Sequence, residues 1–345
     1  KYDSLKDSNI KISGRMISLR KMGKACFIHL QDDSGKIQIY IRTDNLEDGI
    51  YDEIVRNLDI GDIIGVFGTL FYTKTEELSL KVTNLIILSK NIRPLPNLKE
   101  KDGKTFFSYN DKELRYRNRH LDLITNPDVK KSFLIRAQVI KVIRSYLDNQ
   151  GYLEVDTPVL QPLYGGASAR PFTTFHNTLD QKLYLRIASE LYLKRLIVGG
   201  IERVYEIGKN FRNEGMDKNH NPEFTMLEFY WAYADYEDNM NLVEKMLRTV
   251  AESIEKTKIN WGEMTIDLSK PFKKRPILEL LNEATGEDLA DFSENKLREV
   301  CNSNNVDIES NYNYGQMLDT LMSELVEPKL IQPTFVTDYP TAISP

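Results

Sequence analysis

The chain has 345 residues, of which 41% are hydrophobic and 28% are charged. This length suits two domains, and the composition is that of an ordinary globular protein. No apolar run approaches the roughly 18 residues that a membrane helix needs, and no signal-peptide pattern opens the chain. The sequence therefore predicts a protein with no membrane partner and a cytoplasmic location.

The formal net charge of −5 argues against bulk electrostatic binding of nucleic acid, although a local basic patch stays compatible with it. Cys26 and Cys301 are the two cysteines, and they lack the spacing of metal ligands. We therefore predict a reducing compartment and no zinc site.

Residues 10–88 have the pattern of five short β-strands. Apolar and polar residues alternate, as they do after the Asp33-Ser34-Gly35 turn, and glycine turns separate the runs. A short helical segment is predicted at residues 52–58, between the third and fourth strands. This order is typical of a small Greek-key barrel, the OB-fold.

Four polar or aromatic residues lie opposite the apolar stripe of this barrel: Phe27, His29, Gln38 and Tyr40. Cationic residues lie close by in the sequence, namely Arg20, Lys21, Lys24, Lys36 and Arg42. Rings among cations on a barrel face suit the stacking of single-stranded nucleic acid. An exposed sheet face with scattered aromatic residues explains the pattern equally well, so the barrel sequence alone leaves both interpretations open.

A linker is predicted after the barrel, because Pro94 and Pro96 interrupt regular structure and a charged run extends from Lys99 to Lys104. We place the first domain at residues 1–93, the linker or hinge at 94–125 and the second domain at 126–345. Three closely spaced arginines follow the charged run: Arg115, Arg117 and Arg119. They either pair with acids across the domain junction or contact nucleic acid.

A long helix is predicted from Asn126-Pro127, a capping side chain followed by proline, to a stop near Gly151. Its apolar stripe consists of Phe133, Ala137, Ile140, Ile143 and Leu147. The helix leads into GYLEVDTPVL, where Pro158 confines a strand to the edge of a sheet. An exposed edge favours a two-fold dimer contact through the region from Val129 to Leu160, and a loop that covers the edge is the alternative.

The next segment contains a glycine-bearing loop, YGGASARPF, from Tyr164 to Phe172. Ser189 is then predicted to cap a helix that carries Glu190 in its first turn and ends near Gly199. A carboxylate in the first turn is often a partner of the helix dipole, and in isolation this is the preferred role of Glu190.

A β-hairpin is predicted from Arg203 to Trp231, two strand-like runs joined by a polar loop. Period-two alternation places Tyr205, Ile207 and Phe211 on one face of the first run, and places Glu206, Asn210, Arg212 and Glu214 on the other. In the second run, one face holds Leu227, Phe229 and Trp231, and the other holds Phe224, Met226, Glu228 and Tyr230. The two polar faces together form one charged wall of the hairpin. Because such charges are rarely buried without a partner or a ligand, we predict that this wall is the active site.

Little chemical signal follows the hairpin. An amphipathic helix is predicted at residues 242–254, and residues 255–330 have the pattern of mixed helices and loops. The last segment, LIQPTFVTDYPTAISP, is predicted to be a buried strand followed by a loop.

These segments together resemble class II aminoacyl-tRNA synthetases, and within that class the lysine enzymes. The long helix with GYLEVDTP looks like the first class motif, and FRNEG…HNPEFTMLEFY looks like the second. The runs YGGASARPF and LYLRIASELYLKRLIVGGIERVYEIGKNFRNEG are similar to the lysine enzymes nearly residue for residue, and MGKACFIHLQD is similar to their anticodon-binding barrel. The resemblance implies an α+β fold: an N-terminal OB-fold barrel and a catalytic domain with an antiparallel sheet flanked by helices.

One departure is large, because the glycine-rich third motif of the class does not occur in the chain. In the family it lies beyond the segment similar to LIQPTFVTDYPTAISP, together with carboxylates that bind Mg²⁺ and the lysine ammonium group. We expect a chain that has been cut short, with its metal ligands beyond Pro345. A naturally shortened protein is the alternative.

The resemblance also implies a reaction and the residues that carry it. Lysine and ATP, with Mg²⁺, form lysyl-adenylate, and the lysyl group moves to the 3′ end of tRNA(Lys). Arg212 is the implied catalytic residue. ATP would contact Arg212, Glu214, His220, Asn221 and Phe224; lysine would contact Gly166, Glu190, Arg212, Glu228 and Tyr230; and the anticodon would contact Arg20, Phe27, Gln38 and Glu77.

Several rival interpretations have distinct chemistry. An aspartyl- or asparaginyl-tRNA synthetase shares the architecture, but its pocket should offer cationic or amide groups where this chain offers Glu190 and Glu228. A non-catalytic RNA-binding relative would keep the barrel without the third motif. A paralogue that lysylates a protein would lack the barrel. For the hairpin, the alternatives are a surface salt bridge between Arg212 and Glu214 and a core position for Phe224.

Overall fold

The computed structural model describes residues 8–96, 98–101, 104–107, 111–289 and 293–344, with side chains left out at 98–101 and 104–107. The chain divides into two compact units between Ser132 and Phe133. Among the described helices, none combines the length and the apolar composition needed to cross a membrane.

The first unit is built on a closed five-stranded barrel with the strand order β1-β2-β3-β5-β4. The strands are β1 Asn9–Met22, β2 Ala25–Gln31, β3 Lys36–Arg42, β4 Ile63–Tyr72 and β5 Leu78–Ser89. The pairing of β3 with β5 is parallel, and the other pairings are antiparallel. Alternate residues of β2, including Cys26 and Ile28, are fully buried in the barrel core, which confirms the predicted OB-fold.

Between β3 and β4 the predicted helix is present in shortened form. It consists of one α-helical turn, α1 Ile50–Glu53, followed by a 3₁₀ turn at Val55–Asn57. Val55 and Leu58 are both buried in the barrel core. Because residues three apart share one face of a 3₁₀ turn, the tighter winding lets both side chains reach the core.

The segment predicted to be a linker contains regular structure. Strands β6 Leu98–Lys101 and β7 Lys104–Phe107 pair in antiparallel fashion, and helices α2 Lys112–Arg117 and α3 Arg119–Thr125 follow. The predicted charged run from Lys99 to Lys104 lies partly outside the described residues. The domain boundaries at 93 and 125 stay predictions.

The closely spaced arginines pair with acids on their own two helices. The carboxylate of Asp122 is buried and accepts hydrogen bonds from Nε of Arg115 at 2.7 Å and Nη1 of Arg119 at 2.6 Å. Arg117 pairs with Glu113 at 2.9 Å. Of the two predicted roles, pairing with acids is therefore what the structure shows, within α2 and α3 rather than across a domain junction.

The second unit combines small sheets with helices, which confirms the α+β class. Its strands are β8 Leu153–Glu154, β9 Leu160–Gln161, β10 Thr173–His176, β11 Gln181–Leu185, β12 Arg203–Phe211, β13 Glu223–Trp231, β14 Lys258–Trp261, β15 Met264–Asp267, β16 Lys273–Pro276 and β17 Thr334–Thr337. The helices are α4 Pro127–Asn149, whose first six residues count with the first unit, α5 Glu190–Val198, α6 Tyr236–Ser253, α7 Ile277–Thr285, α8 Glu294–Ser303 and α9 Tyr314–Leu321. A π-helical turn at Met322–Val326 continues α9, and 3₁₀ turns lie at Glu327–Lys329 and Thr341–Ile343; the first unit has a further 3₁₀ turn at Thr43–Asn45.

Helix α4 begins at Pro127, as predicted, and its predicted apolar stripe is covered only toward the C-terminal end of the helix. Leu147 is buried and Ile140 and Ile143 are half-buried, whereas Ala137 is exposed and Phe133 is 49% exposed. Helical periodicity therefore predicted which residues share a face, and it did not predict what covers that face.

The strand predicted around Pro158 is divided in two, so the expectation of a single proline-bearing strand was wrong. Strand β8 pairs in parallel with β12, and β9 pairs in antiparallel fashion with β11. Pro158 lies between them, where its missing N–H interrupts no ladder, and its carbonyl oxygen accepts a hydrogen bond from Gln161 at 3.0 Å. Both short strands lie at the end of their sheets, consistent with the predicted edge position.

The last part of the chain forms its own apolar core between α7, α8 and α9. The final strand, β17, pairs in parallel with β16 and is half-buried rather than buried as predicted. Helix α6 starts at Tyr236, six residues before the predicted start, because Asp235 and Asp238 form a capping box there.

Candidate active site

The hairpin of β12 and β13 has the two faces that the sequence predicted. The strands pair from Arg203 opposite Trp231 to Phe211 opposite Glu223. Tyr205 is fully buried on the inner face, against an apolar cluster formed with α4 and α6. The other members of that cluster include Leu147, Tyr152, Ile207, Leu227, Phe229, Trp231, Leu242 and Met246. The hairpin is thus anchored by its apolar face.

The charged face of the hairpin carries a buried ion pair that was not predicted from the sequence. Nη1 of Arg186 donates to Oε1 of Glu206 at 2.5 Å, and Oγ1 of Thr157 donates to Oε2 of Glu206 at 2.6 Å. Arg186 is 2% exposed and Glu206 is 3% exposed. Period-two alternation predicts Glu206 on the ligand-facing wall, but its charge is met internally by Arg186. An arginine inside the apolar run LYLRIA was the available signal.

The same arginine holds the end of β12 through the main chain. Nε of Arg186 donates to the carbonyl oxygen of Lys209 at 2.9 Å, and the N–H of Phe211 donates to the carbonyl oxygen of Arg186 at 2.9 Å. A Cβ at Gly208 would lie 2.1 Å from Nη2 of Arg186, so only glycine lets the guanidinium pack this closely. These contacts position the residue that follows, Arg212.

Arg212 lies over an aromatic ring at the exit of β12. Its Cζ is 5.2 Å from the centroid of the Phe224 ring, and its N–H donates to the carbonyl oxygen of Pro222 at 2.9 Å. Nε of Arg212 is buried and has no hydrogen-bond partner among the described residues. A buried donor without a partner is costly, which makes it a natural contact for an anionic ligand.

Glu214 contacts the glycine-bearing loop instead of Arg212. Its Oε1 accepts a hydrogen bond from the N–H of Arg170 at 3.4 Å, and the N–H of Asn213 donates to the carbonyl oxygen of Arg170 at 2.7 Å. The ion pairs between described residues do not include one between Arg212 and Glu214, so the alternative of a surface salt bridge was wrong. Phe224 is half-buried under Arg212, which is not the environment of a core ring.

The loop of the hairpin holds the other predicted ATP contacts. His220 and Asn221 are exposed there, and Nδ1 of His220 lies 2.9 Å from Oδ2 of Asp217. Hydrogen bonds from the His220 side chain and from backbone N–H groups lower the pKa of Asp217. The Asp217 side chain is therefore held in its ionised form next to the His220 imidazole.

Acidic groups gather at the opposite end of β13. Oε1 of Glu228 accepts a hydrogen bond from the N–H of Ser189 at 3.2 Å, while its Oε2 is buried without a partner among the described residues. Oε1 of Glu190 accepts from Nζ of Lys194 at 2.6 Å, and the same Nζ lies 5.9 Å from the centroid of the Tyr230 ring. This end of the strand can hold an ammonium group.

Tyr230 completes the acidic end as a neutral donor. Burial raises the pKa of the Tyr230 phenol well above its usual value, and the charges of Glu228 and Glu190 raise it further. The phenol consequently keeps its proton through the neutral pH range.

Two backbone features shape the acidic end of the wall, next to Glu190 and Glu228. Gly166 has φ +86°, and a Cβ there would lie 2.8 Å from Cβ of Glu190, so the loop passes directly over that residue. Ser189 precedes α5 as predicted, but its side chain makes no cap hydrogen bond, so the predicted capping was wrong. Its φ of −91° and ψ of −7° are helical rather than extended, and its N–H is used by Glu228.

The described residues offer no ready metal site. No three histidine, cysteine, aspartate or glutamate side chains among them are grouped to hold a metal ion. Cys26 and Cys301 are buried and free, and burial raises the pKa of the Cys26 thiol to about 11. The described residues therefore provide no cluster that could hold a metal ion without further ligands, such as the phosphates of a nucleotide.

The first unit brings the predicted anticodon residues together on one face of the barrel. Arg20 pairs across the strands with Phe27, and its Cζ lies 5.7 Å from the centroid of that ring. Phe27 and Tyr40 have ring centroids 5.0 Å apart. Gln38 lies in the adjacent row, is 3% exposed, and donates from Nε2 to Oγ of Ser79 at 2.8 Å. The barrel face thus offers two rings in tilted contact beside a cation.

Comparison with known families gives a consistent result. Residues 111–345 match the family described as tRNA synthetases class II (D, K and N), and residues 10–88 match the OB-fold nucleic acid binding domain. A lysine–tRNA ligase from Azobacteroides pseudotrichonymphae is 48% identical over 97% of this chain and 68% of its own length. Lysine–tRNA ligases from Carboxydothermus hydrogenoformans and Porphyromonas gingivalis are 47% and 48% identical over 100% and 97% of this chain, and over 69% and 59% of their own lengths.

The chain belongs to the lysine–tRNA ligases. This membership confirms the sequence-based choice of lysine over aspartate or asparagine, and it places the chain among class II aminoacyl-tRNA synthetases. The chain spans between 59% and 69% of the length of the three lysine–tRNA ligases named above.

Proposed function

We propose that the wall formed by Arg212, Phe224 and Glu228 carries the lysine-activation step of a lysine–tRNA ligase. An oxygen of the lysine carboxylate forms a bond to the α-phosphorus of ATP. The bond from that phosphorus to the bridging oxygen breaks, and pyrophosphate leaves with lysyl-adenylate remaining. A hydroxyl at the 3′ end of tRNA(Lys) then displaces AMP. The observation that carries the proposal is the buried, unpartnered Nε of Arg212 over the Phe224 ring.

Arg212 would position both reactants and neutralise charge. Attack on phosphorus by an ionised carboxylate needs no protein base, so catalysis depends on orientation and electrostatic stabilisation. A guanidinium can hold the carboxylate and the α-phosphate together through its fixed fork of donors.

The nucleotide would occupy the end of the wall near the hairpin loop. Phe224 would stack on adenine, Glu214 would accept a hydrogen bond from its amino group, and His220 with Asn221 would approach the outer phosphates. The half-buried ring and the exposed loop support this placement. Magnesium is expected only as a companion of the ATP phosphates.

The amino acid would occupy the acidic end. Phe224 and Glu228 are four residues apart on one strand, about 13 Å, so one continuous surface can accommodate adenine and lysine together. The buried Oε2 of Glu228 lacks a partner, and a substrate ammonium group would offset that cost. Glu190 already holds the ammonium of Lys194, and Gly166 lets the loop close over Glu190.

Replacing Glu190 with glutamine is expected to raise the KM for lysine about tenfold, because a charge-assisted hydrogen bond becomes a neutral one. The KM for ATP should change less than about twofold, since no nucleotide contact is assigned to Glu190. Steady-state pyrophosphate exchange with each substrate varied in turn measures both constants. Glu237→Gln, an exposed glutamate of α6, is the matched control. Equal increases in the two constants would count against a lysine-specific role.

We also propose that the chain forms a homodimer through the region between Val129 and Leu160. In the second unit this region exposes several large apolar side chains: Phe133, Leu134, Ile135, Leu153 and Leu160. Exposed apolar groups of this number support an interaction surface, and the end positions of β8 and β9 support pairing across it. A cytoplasmic location remains part of the proposal.

The barrel is proposed to bind the anticodon through Arg20, Phe27, Gln38 and Glu77. The adjacent rings of Phe27 and Tyr40 support a platform for unstacked bases, and Arg20 beside them supports contact with RNA. For Gln38, Nε2 is already used by Ser79, so base recognition would rely on its amide oxygen.

Phe27→Ala is expected to lower kcat/KM for charging of tRNA(Lys) about 5- to 100-fold, since stacking contributes about 1–3 kcal/mol per base. Lysine-dependent pyrophosphate exchange without tRNA should stay close to that of the parent protein. Phe67→Ala is the matched control, because that half-buried barrel ring contacts Lys11 and not Tyr40. Comparable losses in charging and exchange would show that the barrel serves another purpose.

A non-catalytic RNA-binding relative is the remaining rival. Pyrophosphate exchange that depends on lysine, measured on this chain and on the full gene product, separates it from a ligase. Exchange by neither protein would overturn the proposed activation step.

A further inference from the structure

One histidine on the barrel face is clamped between two side chains. Nδ1 of His29 lies 2.7 Å from Oγ of Ser18, and Nε2 of His29 lies 3.0 Å from Oε1 of Glu77. The backbone N–H of His29 also donates to Oγ of Ser18 at 3.3 Å. The imidazole is 21% exposed and the Glu77 side chain is 46% exposed, so the ring lies below the carboxylate that it contacts.

Each of the three residues is placed by the barrel itself. Ser18 lies opposite His29 in the register of β1 and β2, directly after a β-bulge. Glu77 ends a tight turn, where its N–H donates to Oγ1 of Thr73 at 3.1 Å and its carbonyl oxygen accepts from the N–H of Thr73 at 3.1 Å. The backbone of Glu77 is thus fixed by the turn, whereas its carboxylate is oriented by His29.

The hydrogen bonds are consistent with one arrangement of protons. When the hydroxyl of Ser18 donates to Nδ1, the other ring nitrogen carries the proton and donates to Oε1 of Glu77. That donation uses one carboxylate oxygen, which leaves Oε2 to accept a hydrogen bond from a nucleobase amino or imino group.

We propose that His29 is a positioning residue for recognition of the anticodon. It holds Glu77 in the one rotamer that presents Oε2 at the edge of a base stacked beside Phe27. A flexible, half-exposed glutamate would otherwise lose its side-chain freedom only when RNA binds. This entropic cost weakens binding and lowers the selectivity between bases. The inference rests on the proposed binding of the anticodon by the barrel. It adds a residue that contacts the Glu77 carboxylate and not the base itself.

A double-mutant cycle tests this role through Glu77. His29→Ala is expected to lower kcat/KM for charging of tRNA(Lys) about fivefold, through a higher KM for tRNA. In the Glu77→Gln background the same change should lower kcat/KM for charging by less than about twofold, because the carboxylate that His29 positions is already altered. His29→Gln, whose amide can still donate to Glu77, should recover most of the loss. His120→Ala, an exposed histidine of the same unit, is the matched control.

The outcomes separate the inference from the function on which it rests. An equal loss from His29→Ala in both backgrounds would mean that His29 contacts RNA directly, and the positioning role would be wrong. No loss from His29→Ala, with a loss from Phe27→Ala, would overturn the inference and leave the barrel as the anticodon site. No loss from either variant would overturn both. If His29→Ala lowers the melting temperature of the protein, His29→Gln is compared in the parent and in the Glu77→Gln background instead. Charging of tRNA(Lys) that recovers only when Glu77 is present supports the positioning role, and recovery in both backgrounds contradicts it.

Discussion

Arg212→Lys is expected to lower the rate of lysine-dependent pyrophosphate exchange about 100-fold, the usual cost of removing a donor aimed at transition-state charge. Lysine keeps the positive charge, but it replaces a planar fork with a single point of donation that cannot hold the carboxylate and the α-phosphate together. The loss should fall mainly on kcat, because the orientation of the two reactants is what changes.

The control for this prediction is Arg117→Lys, which alters a 72% exposed arginine of α2 that pairs with Glu113. Both variants should melt at the temperature of the parent protein. Activity of Arg212→Lys within about threefold of the parent would show that charge alone suffices at this position, and the proposed bidentate role would be abandoned.

Arg186→Met is expected to destabilise the second unit by about 3–5 kcal/mol, because it leaves the carboxylate of Glu206 buried without its partner. Both tryptophans of the chain, Trp231 and Trp261, belong to the second unit, so the urea midpoint of tryptophan fluorescence reports its unfolding directly.

The double variant Arg186→Met with Glu206→Leu distinguishes stability from positioning. Replacing a buried ion pair by apolar residues is often neutral, so the urea midpoint should return close to that of the parent. Exchange activity should stay low, because the hydrogen bond from Arg186 to the carbonyl oxygen of Lys209 is still lost and Arg212 is less well held. Recovery of full activity along with stability would show that the pair has no positioning role.

Hairpin and barrel could be predicted because their signals are local. Tyr205 and Glu206 are adjacent and therefore face opposite sides of β12, whatever lies above or below the strand. The start of α4 at Pro127 likewise follows from the backbone chemistry of proline, and the end of α5 follows from that of Gly200, which has φ +97°. Predictions of this kind depend on neighbours in sequence, and the structure confirms them.

The predictions that were wrong depended on neighbours in space. Ser189 has a capping side chain, but its backbone conformation and the contact with Glu228 decide otherwise. Pro158 was correctly placed near an edge, yet the division into β8 and β9 follows from the separate partners β12 and β11.

The amino-acid sequence by itself determined which residues share the charged wall: the alternation that puts Phe224, Glu228 and Tyr230 on one face is a property of an extended backbone. Only the tertiary structure decided which charges are available to a ligand. Glu206 is neutralised by Arg186, twenty residues away in the chain, whereas Glu228 keeps a buried oxygen without a partner among the described residues. The reason is that the state of a buried charge is set by the groups within a few ångströms of it, and folding brings those groups from distant parts of the chain.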